Sequence, residues 1–151
     1  MSSEQDDPER VRDAALRLLA LREHTQRELT GKLGARGFPA TVIATVLADL
    51  AAEALQTVTR FASHFVAQRC ARGVGPVRVR AELEQRGLDR ELIAQYLDRD
   101  AACWREALQA LVAKRYGSGP VSDRREWQRR ARFLAGRGYA SDMIRGVLRG
   151  E

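Results

Sequence analysis

Apolar side chains recur every three to four residues along most of this chain, the spacing of one face of an α-helix. Val11, Ala15, Leu18 and Leu19 follow it, then the pair Leu29 and Leu33, then Val42, Ile43, Val46, Leu47 and Leu50. The pattern continues through Phe61, Phe65 and Val66, through Val79 and Leu83, and through Trp104, Leu108, Leu111 and Val112. It closes with Trp127, Ala131 and Leu134 on a penultimate helix and a short helix opening at Ser141. No convincing alternating strand pattern stands out along the chain.

The helix boundaries are written in the same residues. Asp7-Pro8 predicts an N-cap with proline at the first helical position, where its missing N–H costs nothing. Thr25-Gln26-Arg27-Glu28 and Asp123-Arg124-Arg125-Glu126 both fit a capping box. One phrase occurs three times: Leu33-Gly34-Ala35-Arg36-Gly37-Phe38, Leu83-Glu84-Gln85-Arg86-Gly87-Leu88 and Leu134-Ala135-Gly136-Arg137-Gly138-Tyr139, each followed by a bulky apolar pair and a leucine. The glycines stand 50 and 51 residues apart and are placed as left-handed C-terminal caps. A period of this size marks stacked supersecondary units. The pattern thus predicts an all-α chain of nine helices in three tandem three-helix repeats, forming an elongated, curved array. Its expected parts are a disordered N-terminal tail over 1–8 and repeats over 9–56, 57–99 and 100–151.

Charge adds a direction. The net charge is +6, distributed as −2 over residues 1–56, +2 over 57–100 and +6 over 101–151. Lys32 and Lys114 are the only lysines among 26 basic residues. Codon bias accounts for an arginine excess of this kind, yet arginine also offers a planar fork suited to phosphates and carboxylates. The basic balance predicts an acidic partner, nucleic acid or protein. Arg69, Arg72, Arg78 and Arg80 flank the Gly73–Pro76 turn; Arg125, Arg129 and Arg132 share a helix face, with Arg124 and Arg137 nearby. These clusters read either as solvated faces or as contact strips for an acidic polymer.

Candidate chemistry is sparse. His24 and His64 have no cysteine or acid at metal-ligand spacing. Cys70 and Cys103 are isolated and read as small core fillers. Glu82 and Glu84 stand four residues after Arg78 and Arg80, the spacing of ordinary helix-surface ion pairs. No glycine-rich phosphate loop or nucleophile elbow is present, so no catalytic residue, metal or cofactor is expected. Met1 to Pro8 is too polar for a secretory signal, and no apolar run reaches the roughly 18 residues of a membrane span. The expected compartment is the cytoplasm.

The stretch Arg60-Phe61-Ala62-Ser63-His64-Phe65-Val66-Ala67-Gln68-Arg69, followed by Arg72-Gly73-Val74-Gly75-Pro76-Val77-Arg78-Val79-Arg80-Ala81-Glu82-Leu83 and Arg86-Gly87, resembles the signature of the RecX family, bacterial regulators of the RecA recombinase. His24-Thr25-Gln26-Arg27-Glu28-Leu29 in the first repeat, and Trp104, Lys114, Tyr116-Gly117 and Arg132-Phe133-Leu134 in the third, fit it too. The resemblance covers residues 10–150. It implies three tandem three-helix units and a protein that binds the RecA filament, inhibits its ATPase, coprotease and strand-exchange activities, and limits its extension. A monomer is expected. The eight arginines Arg69, Arg72, Arg78, Arg80, Arg124, Arg125, Arg129 and Arg132 are chosen as contacts from charge and exposure; the resemblance does not single them out. The competing reading is a helical-repeat module that binds single- or double-stranded DNA directly through its Arg-rich face.

Two departures from the family pattern carry expectations. Ala54-Leu55-Gln56-Thr57-Val58 replaces a glycine-containing acidic turn, which predicts a more continuous helix there. Arg130 stands where Leu29 and Val79 stand in the other repeats; it is expected to snorkel outward while Trp127 fills the space.

Overall fold

A computed structural model describes residues 4–99, 101–121 and 123–149. After a short 3-10 turn at Glu4–Asp6 come eight α-helices: α1 (Pro8–Leu21), α2 (Gln26–Ala35), α3 (Ala40–Ala71), α4 (Pro76–Gln85), α5 (Arg90–Arg99), α6 (Ala101–Tyr116), α7 (Arg124–Gly136) and α8 (Ser141–Arg149). Among the described residues there is no strand. The fold is all-α. The expected repeat limits at Met1, Asp100 and Glu151 fall outside the described residues.

Nine helices were expected; among the described residues eight occur, because the third and fourth run together as α3, 32 residues long. No glycine or proline interrupts 40–71, and residues 51–56 are all strong helix formers, so nothing in the sequence breaks the hydrogen-bond ladder. By length and composition α3 could also cross a membrane, its most apolar 18-residue stretch having a mean hydropathy of 1.4. This corrects the expectation that no run is apolar enough.

The chain divides into two compact units, one ending at Val58 and the next beginning at Thr59. In the first, Asp7 caps α1 by accepting from the Glu9 amide at 3.1 Å, with Pro8 at the first helical position. Thr25 Oγ1 accepts from the Glu28 amide at 3.1 Å. The Glu28 carboxylate does not complete the capping box; it takes Arg22 at 2.8 Å instead, a charged donor being the stronger partner. Val11, Ala15 and Leu18 of α1, Leu29 and Leu33 of α2, and Ile43, Val46 and Leu47 of α3 form this unit's core. Within the stretch expected to form a tail, Glu4–Asp6 make a 3-10 turn, Glu4 bridges to Arg10 at 3.0 Å, and α1 begins at Pro8.

The second unit has two adjoining cores. Ala62, Phe65, Val66 and Cys70 of α3 pack with Val79 and Leu83 of α4, Ile93, Tyr96 and Leu97 of α5, and Trp104 of α6. Trp104 Nε1 donates to the Leu97 carbonyl at 3.1 Å, satisfying its buried N–H. Leu108 of α6 then packs with Leu134, Tyr139, Ile144 and Leu148. Helix α6 thus serves both cores, and Met143 of α8 touches each.

These two cores are joined by backbone. The Gly75 amide donates to the Arg137 carbonyl at 2.8 Å and the Val77 amide to the Gly138 carbonyl at 2.9 Å. A Cβ on Gly75 would overlap the Gly138 carbonyl and the Tyr139 amide, and one on Gly138 would overlap Arg78 Cβ. Only glycine at both positions permits this approach. Arg137 closes the junction, donating from Nε to the Gly73 carbonyl at 2.9 Å and from a terminal nitrogen to the Arg72 carbonyl at 2.7 Å.

Candidate arginine-rich binding surface

The eight arginines chosen from the sequence all lie on the second compact unit, but they are not equally available. Arg69, near the end of α3, is half-buried. Its Nε donates to Glu82 Oε2 at 2.9 Å and its guanidinium lies 4.4 Å over the Phe65 ring. Two satisfied contacts of this kind make Arg69 a structural strut between α3 and α4. Arg72, Arg78 and Arg80 are exposed. Arg78 shares Glu82 through a longer 3.5 Å contact. The expected Arg80–Glu84 pair does not form, because Glu84 turns to Arg90 at 3.5 Å. Arg80 is left at the rim of a groove of about 690 Å³, lined also by Pro76, Trp104, Arg105, Asp142 and Val147.

On α7, Arg124, Arg125, Arg129 and Arg132 are exposed. The Asp123 side chain accepts from the Arg125 amide at 3.1 Å and so fixes the start of the helix. Glu126 leaves the predicted capping box and pairs with Arg129 and Arg130. These two hold its carboxyl below its usual value, Arg130's hydrogen bond being the largest cause. Among the described residues Arg132 makes no ion pair, so its charge is unmasked.

Arg130 does not snorkel. Its side chain is 17% exposed, its Nε donates to Glu126 at 3.0 Å, and its guanidinium lies 4.4 Å over the Tyr116 ring. The aromatic face and the carboxylate together replace the water that a buried charge would lose. Arg115 stacks at 3.8 Å over Phe133, which meets Tyr116 edge to face. Phe61, expected at core spacing, is 39% exposed and covered in part by Arg86 at 5.2 Å. The roles of Arg86, Arg115 and Arg137 escaped the sequence reading. Their one shared signal is an arginine that recurs before the cap glycine or near an aromatic residue.

No cluster of metal-ligating side chains occurs among the described residues. His24 is taken up locally, with Nδ1 2.9 Å from the Arg22 carbonyl and Nε2 2.9 Å from Lys32 Nζ.

Comparison with known proteins decides the family. The first, second and third three-helix domains of RecX match residues 12–50, 59–97 and 105–148. This chain belongs to the RecX family. The regulatory protein RecX of Halorhodospira halophila is 46% identical over 139 residues, 92% of this chain and 86% of that protein. The regulatory protein RecX of Ectopseudomonas mendocina is 46% identical over 145 residues, 96% of this chain and 97% of that one. The crystal structure of RecX from Lactobacillus salivarius superposes with a TM-score of 0.53 at 20% identity, covering 93% of this chain and 94% of that one. At that identity the likeness concerns the fold. The three repeats of the sequence are the three RecX domains, and the family is one of regulatory proteins.

Proposed function

We propose that this chain binds the RecA nucleoprotein filament and inhibits its ATPase, coprotease and strand-exchange activities, acting in the cytoplasm as a monomer in the control of recombination and repair. The observation that carries this reading is the match of all three RecX domains along the chain, with relatives of nearly equal length named as regulatory proteins. The exposed arginines supply the physical means. Arg72, Arg78 and Arg80 meet acidic groups of one protomer while Arg124, Arg125, Arg129 and Arg132 meet those of another. Single surface contacts of this kind are weak, but contacts linked on one folded unit multiply. Inhibition then requires no catalytic residue. Tighter binding to one filament state than to another is sufficient, because it opposes the rearrangement that accompanies nucleotide turnover.

The test is RecA ATPase on single-stranded DNA with this protein added. Turnover should fall to a low plateau at saturation; undiminished turnover contradicts the proposal. The exposure of Phe61 beside Arg86 gives the DNA-binding alternative one stacking element. Titration of labelled single-stranded DNA with and without RecA and ATP separates the two. Preference for the filament supports the proposal, and equal, tight binding to bare DNA favours the alternative.

A further inference from the structure

Cys70 near the end of α3 and Cys103 in the first turn of α6 lie 33 residues apart in sequence, yet their sulfurs are 2.6 Å apart. Both belong to the core that α3 shares with α4, α5 and α6. Cys70 is fully buried and Cys103 half-buried. A buried phenol of the adjoining core lies close to both sulfurs. The Tyr139 hydroxyl is buried and makes no hydrogen bond among the described residues. Burial, with the two cysteines nearby, pushes its pKa up to about 12, while Arg137 acts in the opposite direction. A pair of thiols in contact, one reachable from solvent and one sealed, has the arrangement of an attacking and a resolving cysteine.

We infer that Cys70 and Cys103 are a peroxide-sensitive dithiol that closes to an intrachain disulfide and locks α3 to α6. The Cys103 thiolate attacks one oxygen of hydrogen peroxide and the O–O bond breaks. The departing hydroxide takes up a proton as water, leaving a sulfenic acid on Cys103. The Cys70 sulfur then attacks the Cys103 sulfur. The S–O bond breaks, and the leaving hydroxide takes the Cys70 proton to give a second water. Two thiols lose two electrons and one peroxide becomes two waters. A small-molecule dithiol reverses the bond by exchange. In a reducing compartment such a bond is transient, as a sensor requires.

The experiment uses the full chain. Protein treated with hydrogen peroxide is denatured with N-ethylmaleimide and weighed intact. Reduced protein should take two labels. Oxidised protein should take none, should be lighter by two hydrogens and should recover both labels after dithiothreitol. Its melting midpoint should rise by about 5 °C, since a cross-link restricts the unfolded chain. Cys70→Ala should trap the Cys103 sulfenic acid as a dimedone adduct, whereas Cys103→Ser should resist peroxide because Cys70 is sealed. Two thiols that remain labelled in the parent under peroxide that modifies Cys70→Ala would overturn the inference. So would disulfides found only between chains. The measurement on the parent stands whether or not either variant folds.

Discussion

Gly87 and Gly138 close the same phrase in successive domains, with φ of +86° and +101°, yet their surroundings differ. A Cβ on Gly87 would meet nothing, whereas one on Gly138 would overlap Arg78. Arg86, before the first glycine, lies over Phe61 and Phe65. Arg137, before the second, donates to two carbonyls of the preceding domain. One motif therefore does two jobs. In the second domain it ends a helix and its arginine covers aromatic rings of the same domain; in the third it ends a helix and fastens the domain to its neighbour. The consequence is functional under the proposal above, because the arginines of α4 and those of α7 are then carried on one compact unit.

Substitutions can break this contrast in graded steps. Gly138→Ala combines backbone strain with overlap against Arg78 and should cost about 3–5 kcal/mol in denaturant unfolding. Gly75→Ala should be similarly severe. Arg137→Ala leaves the Arg72 and Gly73 carbonyls without their charged donor and should cost about 1.5–3 kcal/mol. Gly87→Ala meets only the strain of a left-handed backbone, about 1–2 kcal/mol. A Gly87→Ala cost equal to that of Gly138→Ala would erase the distinction between the two caps.

The smallest effect is electrostatic. Glu126 has an ordinary value of 4.5, lowered in the fold first by the hydrogen bond from Arg130. A carboxylate lowered on folding contributes stability that is complete above its unfolded value and lost as pH falls through the folded one. Glu126→Gln should therefore reduce the loss of stability on acidification below pH 4.5, measured by chemical denaturation across that range. A steeper loss in the variant would contradict the pairing.

The helical periodicity and the cap glycines made the three domains readable, because both signals are local. Contacts between helices were not readable. The spacing of Arg78–Glu82 and Arg80–Glu84 is identical, but α3 brings Arg69 to Glu82 and Arg90 at the start of α5 draws Glu84 away. Arg130 looked like a misplaced core position until Tyr116, on another helix, supplied a face for it. Arg69 looked like the other arginines of its cluster, and only its burial against Phe65 separates it from them. The fusion into α3 was half legible: the missing turn glycine signalled it, while the membrane-like hydropathy of the fused helix arose only when two segments were counted as one.

The most direct measurement is RecA ATPase on single-stranded DNA with the parent and with a variant carrying Arg125→Glu, Arg129→Glu and Arg132→Glu. These exposed side chains hold no core contact, so helicity should be unchanged by circular dichroism. The account predicts that the variant needs on the order of tenfold more protein for the same inhibition, or fails to inhibit. A folded variant as potent as the parent would show that the α7 surface is not where this protein meets the filament.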